Sequence, residues 1–340
     1  MPNKILTIVV PTYNAENYLR DNLESFELEE VLTDIEVLII NDGSTDNSLK
    51  IAEEYTRRYP DTYKVINKEN GGHGSGINFG IKYAQGIYYK VVDADDWVDA
   101  EAFVHLVNYL KKSSSDIVYS GFFWVYDRGE KCKEDFGKKA EFNKPFKSVV
   151  YQKEYNFDDI AEKEFYIKMH NMTIKTSILK NHNIFIDEHC YYVDAEYITY
   201  PIPYVETISF IENFVYFYRI GSTGQSIGIE KMQKNEENYN KVLNSLFKFY
   251  EQLNTDIPCT EVKKGYVARV IARIVAGKIK IMLSFPASEQ MKKQLIMFDN
   301  NLKQDFPEIY DSNINKAVKL LRKTNYMIYK TASKLVRRKY

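Results

Sequence analysis

The first 120 residues alternate short apolar runs with segments of helical periodicity, and this alternation constrains the fold more than any other feature. Buried-type apolar runs predict strands at residues 5–10, 35–40, 63–67, 87–92 and 116–125. Apolar spacing and capping residues predict helices between them, at residues 15–26, 46–58, 76–84 and 99–112. Because helices connect successive strands, we expect an α/β fold with a doubly wound, mostly parallel sheet.

The second part of the chain differs in charge and periodicity. Residues 231–340 hold 22 Lys plus Arg against 10 Asp plus Glu, whereas the first 230 residues hold 24 against 37. Helical spacing there predicts helices at residues 239–253, 262–283, 288–305 and 314–338. We therefore expect an α/β domain at residues 1–228 and a smaller, basic helical domain at residues 229–340.

The basic charge of the helical domain is consistent with two roles, homo-oligomer formation and peripheral contact with an anionic membrane. For residues 318–340, packing of the apolar stripe in a helix bundle is favoured over binding to a bilayer. Nucleic-acid binding is not expected, because the polar clusters of the first domain are acidic and no basic–aromatic recognition motif is present.

The cysteines and apolar runs predict the cellular compartment. Cys132, Cys190 and Cys259 are scattered, which argues against a disulfide framework and a cysteine zinc site. Residues 5–10 are too short an apolar run for a signal peptide, and no stretch approaches the roughly 20 residues that cross a bilayer. We expect a cytoplasmic protein, with the inner face of the membrane as the alternative.

Polar clusters follow the predicted strands, at residues 11–14, 41–44, 68–72 and 93–96. In doubly wound sheets, ligands bind outside the carboxyl ends of the strands. All four clusters therefore fall where such a fold places its binding site. This agreement of position is a stronger signal than any single cluster.

Residues 93–96 read Asp-Ala-Asp-Asp and predict a metal site. Carboxylates at i and i+2 point the same way on an extended chain, so Asp93 and Asp95 could share one cation. Mn²⁺ or Mg²⁺ suits oxygen ligands and commonly bridges to a substrate's phosphates. The alternative is a solvated acidic turn after a strand.

Taken together, the motifs resemble an inverting family-2 glycosyltransferase of the GT-A fold, over about residues 4–225. The matching pieces are residues 9–14, 39–46, 71–80 and 92–96. The resemblance implies a nucleotide-sugar-dependent hexosyltransferase with a DXD motif and a UDP-sugar donor, with galactose or glucose favoured. It implies a glycan or glycoprotein acceptor, and acceptor binding is then a third candidate role for the basic helical domain at residues 229–340. Enzymes that glycosylate serine-rich adhesins are favoured, and capsule or wall-polymer polysaccharide biosynthesis is the alternative.

The resemblance also assigns residues to the donor. Asp42 would accept the imide N–H of uracil, and Tyr13 would offer a stacking surface for the base. An Asx turn or a cap is the alternative for Asp42. The other donor-binding candidates are Pro11, Thr12, Asn14, Gly71, Gly72, Asn78, Asp93, Ala94, Asp95, Asp96 and Arg219.

The glycine-rich segment at residues 71–76 allows close backbone approach to an anion at a helix N-terminus. Its spacing excludes a Walker A loop and a dinucleotide fingerprint. Ile77 stands where the family often has Arg. The donor's phosphate charge would then fall to the metal and to Lys68, His73 or Arg219.

For chemistry, the resemblance implies a carboxylate base downstream of the DXD motif. Asp194 is the candidate catalytic base, and Glu196 is the alternative if the segment is extended. If the segment begins a helix, both carboxylates could instead serve the helix dipole. Candidate acceptor or sugar contacts are Trp97, His170 and Gln225.

Two other functions share part of this pattern. A nucleotidyltransferase shares the fold class and the metal carboxylates, but residues 11–14 lack the Gly-rich, basic triphosphate loop that it needs. A catalytically silent glycosyltransferase-like scaffold is the non-enzyme alternative. The intact acidic set at residues 42, 93, 95 and 194 argues against it.

Overall fold

A single mixed sheet forms the frame of the first part of the chain. The computed structural model describes residues 4–127, 136–141, 149–163, 165–221 and 229–339. Within these ranges the strands are β1 Leu6–Thr12, β2 Ile35–Asp42, β3 Tyr63–Lys68, β4 Tyr88–Val91, β5 Trp97–Val98, β6 Ile117–Tyr126, β7 Gly137–Ala140, β8 Glu154–Asn156, β9 Met172–Lys175 and β10 Thr207–Ile220. Their order is β3-β2-β1-β4-β9-β6-β10-β5, with β7 beside β6 and β8 beside β10.

The first four strands of this order are parallel, as the alternation of strands and helices predicts. Leu6 of β1 pairs with Ile35 of β2 and with Tyr88 of β4, and β2 continues the parallel pairing to β3. Strand β9 was not predicted, and it lies antiparallel between β4 and β6. Strands β6 and β10 are again parallel to each other. The predicted α/β class and the mostly parallel centre are therefore confirmed.

The helices follow the predicted positions closely in most of the chain. They are α1 Leu19–Glu24, α2 Ser48–Arg58, α3 His73–Tyr83, α4 Ala100–Leu110, α5 Phe157–Ala161, α6 Thr176–Asn181, α7 Asp194–Thr199, α8 Ile229–Lys234, α9 Glu236–Gln252, α10 Glu261–Ser284, α11 Glu289–Asp305, α12 Pro307–Asp311, α13 Lys316–Lys323 and α14 Tyr329–Lys339. The predicted cap Asp99 accepts a hydrogen bond from the Ala102 N–H at 3.0 Å. Ser288 caps α11 in the same way.

One predicted helix was wrong. Residues 314–338 do not form one helix, because Asn325 and Tyr326 have φ angles of +48° and +59°. Two successive residues in the left-handed region cannot continue a right-handed helix. The segment is therefore split into α13 and α14.

Strands β1, β2 and β4 are buried along almost their whole length, so on both faces, which explains their unbroken apolar runs. Leu6, Ile8 and Val10 of β1 face a core that includes Leu23 and Phe103 from the helices on that side. Helix α3 covers the other face, where a Cβ on Gly80 would lie 2.5 Å from a Val9 methyl carbon. Helices on both faces make the sheet doubly wound.

The chain divides into two compact units. The first contains residues 1–189 and 204–225, and the second contains residues 190–203 and 226–340. Compared with the expected boundary at 228/229, the second unit begins at residue 226 and also includes residues 190–203. In the described ranges, none of the helices combines the length and apolar character that spanning a membrane requires. The functions assigned to the two domains stay predictions.

Candidate metal and donor site

The four predicted polar clusters lie at one edge of the sheet. Strands β3, β2, β1 and β4 are neighbours and run parallel, so their carboxyl ends meet at the same edge. Thr12 and Asp42 end β1 and β2, Lys68 ends β3, and Asp93 follows β4 by two residues. Four segments that are distant in sequence therefore contribute to one region of the first unit.

Asp42 holds the glycine loop in place. Its Oδ1 accepts hydrogen bonds from Lys68 Nζ and, at 2.8 Å, from the Gly71 N–H, while its Oδ2 accepts from the Gly72 N–H at 2.8 Å. The side chain is nearly buried. An ionised carboxylate has about four acceptor positions. One position on Oδ2 therefore remains for a donor such as an imide N–H.

The glycine loop is closely packed against the segment that precedes the second unit. A Cβ on Gly74 would lie 2.1 Å from the Asp187 carbonyl oxygen, so only glycine fits there. Asn78 donates to the Ile186 carbonyl at 2.8 Å and accepts from the Ile186 N–H at 2.9 Å. The structure thus gives Asn78, a predicted donor contact, a role in fixing residues 186–188.

At the end of β1, Tyr13 is the exposed group. Its side chain is 54% exposed, whereas Thr12 is buried and its hydroxyl donates to the Val10 carbonyl at 3.0 Å. Asn14 has a φ of +48°, and its side chain accepts from the Thr45 N–H at 2.8 Å. Asn14 therefore joins the ends of β1 and β2, and the Tyr13 ring remains accessible for stacking.

The Asp93–Asp96 segment is a turn rather than an extended strand. The Asp96 N–H donates to the Asp93 carbonyl at 3.0 Å, and Asn22 Nδ2 donates to the carbonyls of Asp93 and Asp96 at 3.0 and 2.9 Å. The i, i+2 rule for extended chains, which paired Asp93 with Asp95, does not apply to a turn. The turn instead places Asp93 and Asp96 together.

Asp93, Asp96 and His170 form a cluster of candidate metal ligands. One ligand atom from each residue lies within 4.8 Å of the other two. His170 belongs to a short 3-10 helix, Met169–Asn171, directly before β9. Its ring lies 4.9 Å from the Phe122 ring and 4.4 Å from the Tyr218 ring, measured between centroids. The insertion of β9 beside β4 brings this histidine to the acidic turn.

Burial controls the protonation of this cluster. It lowers the pKa of His170 to about 3, so the imidazole is neutral, as a metal ligand must be. Burial, together with Asp95 and Asp93, raises the pKa of the Asp96 carboxyl well above its usual range. Burial also works against ionisation of Asp93, but the charge and hydrogen bond of His73 outweigh it and lower that pKa.

The donor set fits a divalent cation. Two carboxylates and one imidazole nitrogen are ligands that Mn²⁺ accepts. His170 Nδ1 is buried and has no hydrogen-bond partner among the described residues. A cation at this position would also supply the positive charge that a buried Asp96 carboxylate and a half-buried Asp93 carboxylate need.

Arg219 donates hydrogen bonds that hold the Asp93–Asp96 turn in place. Its backbone N–H donates to Asp96 Oδ1 at 2.7 Å, and its Nε donates to the Asp95 carbonyl at 2.8 Å. The guanidinium also pairs with Asp127 at 2.7 Å and is only 3% exposed. In the structure, Arg219, which was predicted to contact the diphosphate, instead stabilises the Asp93–Asp96 turn.

Of the cations predicted to meet the phosphates, His73 is the most exposed. Lys68 is paired with Asp42, and its side chain is 10% exposed. His73 lies at the first residue of α3, its Nε2 is 2.8 Å from Asp93 Oδ1, and its side chain is 31% exposed. A phosphate that approaches the α3 N-terminus would therefore meet His73 before Lys68.

Two further predicted donor or sugar contacts, Trp97 and Ala94, lie in hydrophobic cores rather than at an open surface of the site. Trp97 is 7% exposed and packs against Phe136 and Phe217, so it belongs to a small core. Ala94 is buried in the main core. Gln225 lies outside the described residues.

The candidate base lies in the second unit. Asp194 is the first residue of α7 and is exposed, whereas Glu196 is fully buried in the same helical turn. The segment therefore begins a helix, and the extended arrangement that gave Glu196 as an alternative does not occur. Asp194 also lines a mainly apolar cavity of about 190 Å³ with Tyr192 and Tyr239.

Sequence reasoning missed two supporting residues, Lys90 and Tyr216, and the metal-ligand role of His170. His170 was considered only as a sugar contact, because no spacing joins it to the acidic motif 75 residues earlier. Lys90, fully buried on β4, donates to the His170 carbonyl at 2.9 Å. The Tyr216 hydroxyl donates to Asp96 Oδ2 at 2.5 Å. The one available signal for these residues was the position of Lys90 inside an apolar strand. Lysine is almost never fully buried unless it has a partner, so a lysine at that position indicates a buried polar contact.

Comparisons with known proteins identify relatives of this chain. The minor teichoic acid biosynthesis protein GgaB of Bacillus subtilis is 30% identical over 258 residues, which cover 74% of this chain and 26% of GgaB. The uncharacterized glycosyltransferase EpsJ of the same organism is 40% identical over 119 residues, 35% of this chain and 34% of EpsJ. The matched part thus spans about a quarter to a third of these relatives.

Solved structures show the same fold. A crystal structure of S. aureus TarS residues 1–349 in complex with UDP-GlcNAc has a TM-score of 0.66 and 17% identity, and the match covers 98% of this chain and 92% of that one. This likeness confirms the GT-A type of α/β fold and the helical region that follows it. The sequence model described as glycosyl transferase family 2 matches residues 7–181 of the 340. Because that match covers more than half of this chain, the chain belongs to glycosyl transferase family 2.

Proposed function

We propose that this protein transfers a hexose from a UDP-sugar to a hydroxyl group of a cell-wall or capsule polymer, with inversion at the anomeric carbon. The observation that carries the proposal is the cluster of Asp93, Asp96 and His170 at the carboxyl end of the sheet. The same edge holds Asp42 with one acceptor position to spare, and the exposed ring of Tyr13. A metal ion and the diphosphate and uracil of a UDP-sugar could therefore be bound along this one edge of the sheet.

The acceptor class rests on a relative. GgaB is named as a minor teichoic acid biosynthesis protein, and it is similar to 74% of this chain. This favours a wall polymer over the adhesin O-glycan that the sequence analysis preferred, and the adhesin acceptor stays a prediction. For the donor, galactose and glucose remain the expected sugars. N-acetylglucosamine joins them because TarS was crystallised with UDP-GlcNAc.

A divalent cation, expected to be Mn²⁺, would be held by Asp93, Asp96 and His170. Bound there, it would supply positive charge to the diphosphate that leaves. The chain's own residues orient the donor. Tyr13 stacks on the base, and the free acceptor position of Asp42 receives the imide N–H.

Asp194 would act as the general base. It accepts the proton of the acceptor hydroxyl while that oxygen forms a bond to the anomeric carbon. The bond between that carbon and the diphosphate oxygen breaks at the same step, and UDP leaves with the electron pair. One displacement of this kind inverts the anomeric configuration.

The test is nucleotide release by the purified protein with UDP-galactose, UDP-glucose, UDP-N-acetylglucosamine and GDP-mannose, with Mn²⁺ or with EDTA. We expect release from one UDP-sugar, and we expect EDTA to abolish it. Asp194→Asn should lower release at least about 100-fold while UDP binding persists. Absence of both release and metal-dependent UDP binding would refute the proposal and favour the silent scaffold.

A matched set of variants identifies the ligands. Asp93→Asn and His170→Phe should each weaken Mn²⁺ binding, measured by calorimetry. Asp95→Asn and Asp96→Asn remove the same charge from adjacent positions. A loss confined to Asp96→Asn supports the cluster, whereas a loss confined to Asp95→Asn supports the pair that the sequence analysis predicted.

A further inference from the structure

The last two described helices, α13 and α14, carry an unbalanced charge. Residues 312–340 contain nine Lys plus Arg and no Asp or Glu. Seven of these basic residues have exposed side chains and are called the basic face here. They are Lys316, Lys319, Lys323, Lys330, Lys334, Arg337 and Arg338. Solvated helix surfaces normally mix both signs, so this run of one sign is unusual.

The opposite sides of the two helices anchor them to the second unit. Val318 and Leu321 of α13 are buried, as are Tyr329 and Ser333 of α14. Given 100° per residue, Lys316, Lys319 and Lys323 lie about 100° or more around α13 from its buried residues, and Lys334 and Arg338 do so on α14. Most of the basic face therefore lies away from the packed sides of the two helices.

The charges of the basic face have almost no partners within the unit. Lys330 lies 3.2 Å from Glu289, in a pair whose side chains are 74% and 69% exposed. Such an exposed pair is weak and is screened by salt. The other six residues make no ion pair with any residue in the described part of the chain. Six uncompensated positive charges are thus available to an external anion.

Large apolar side chains lie among these charges. Leu320 on α13 is 51% exposed, Leu335 on α14 is 62% exposed, and Met327 in the turn between them is 79% exposed. Single exposed apolar residues are ordinary on soluble proteins. Alternation of leucine or methionine with lysine on an exposed helix is the pattern of helices that lie in the headgroup layer of a membrane.

We propose that the basic face docks on an anionic phospholipid bilayer, with the lysines at the lipid phosphates and Leu320, Met327 and Leu335 at the acyl boundary. This goes beyond the proposed transferase function and does not depend on it. A polyanionic polymer also offers phosphates, but it would leave the three apolar side chains in water. The apolar residues therefore select the bilayer.

The test is co-flotation of the full chain with vesicles of phosphatidylcholine alone or with about one third phosphatidylglycerol. We expect binding to the anionic vesicles only, and weaker binding at high salt. Each basic residue near such a surface contributes about fivefold to binding. Lys319→Glu with Lys334→Glu should therefore weaken binding at least about 25-fold. The control, Lys112→Glu with Lys248→Glu, makes the same charge change on α9 and just after α4 and should bind normally.

A second variant tests the apolar contribution. Leu320→Ser with Leu335→Ser should reduce vesicle binding about tenfold or more, with thermal melting unchanged. Equal binding to both vesicle types, or an equal loss in the control, would overturn the proposal. So would tight binding of soluble polyphosphate with vesicle binding unaffected by the serine variant, since that result identifies a polymer site.

Discussion

Lys90→Met provides a direct test of how the metal cluster is positioned. Lys90 is fully buried on β4, and its Nζ donates to the carbonyls of His170 and Met172 at 2.9 and 3.3 Å. Met has a similar length and shape but no donor. The substitution therefore removes the two hydrogen bonds that hold the His170 segment against β4.

Two effects of opposite sign follow from this geometry. Burial lowers the pKa of Lys90 to about 7, so its charged form is much less favoured than that of an exposed lysine. That charge repels a cation bound at His170, and its loss would tighten metal binding. Loss of the hydrogen bonds has the reverse effect, because partners that orient a metal ligand typically contribute about 10–100-fold to affinity.

Measurement of Mn²⁺ binding by calorimetry at about pH 8.5 separates the two effects, because the lysine is then largely neutral but still donates hydrogen bonds. We expect Lys90→Met to bind Mn²⁺ about 10–100-fold more weakly than the wild type. Lys175→Met is the control, since Lys175 lies on β9 but pairs with Asp116 at 2.9 Å. Equal or tighter binding by a folded Lys90→Met variant would refute the positioning argument.

Three further predictions concern the two units. Asp42→Asn leaves Lys68 without an anionic partner and offers the glycine loop fewer acceptors, so UDP affinity should fall about 10–100-fold by calorimetry, with faster amide exchange in the loop. Arg322→Met should cost about 3–5 kcal/mol in urea unfolding, because the buried Asp299 loses both of its Arg322 hydrogen bonds, at 2.9 and 2.7 Å. Adding Asp299→Leu should recover much of that cost, and no recovery would contradict the argument. In EDTA, stability should fall as the pH drops from about 6.5 towards 3, by up to about 1.4 kcal/mol per pH unit, because unfolding lets His170 take up a proton that its burial excludes. His170→Leu should flatten this dependence.

The sequence predicted the features that depend on local pattern. Apolar runs identified β1 to β4, and the polar residues that follow them lie at one edge, because parallel neighbouring strands leave no other arrangement. Asp42 and Asp93 were identified from their positions after strands. These predictions required only the period of the pattern and the direction of the strands.

The arrangement of the cluster could not be predicted in this way. The turn at Asp93–Asp96 is stabilised by tertiary hydrogen bonds from Asn22, which lies about 70 residues earlier in helix α1. His170 reaches the turn through the pairing of β9 with β4 and β6, and neither pairing has a short-range signal. Interactions between distant segments thus decide which carboxylate accompanies Asp93.

The break between α13 and α14 was missed for another reason. The apolar spacing of residues 314–338 continues through the turn, so periodicity alone indicates one helix. Asn325 was the only local signal, because Asn adopts positive φ more readily than most residues. Tyr326 follows with a positive φ and is buried, with its hydroxyl donating to Asp299. A buried tertiary contact therefore sets the position of the break.

The central position of β9 has a consequence for the order of folding. Tyr88 pairs with Lys175 and Ile117 with Ile174, so β9 closes long loops on both of its sides. Loop closure carries an entropic cost that local pairing avoids, and we expect β1 to β4 to associate before β9 enters. A nascent chain that has emerged only to residue 160 carries both aspartates but not His170. Capture of the cation would then mark the entry of β9 into the sheet, because the last ligand arrives with that strand.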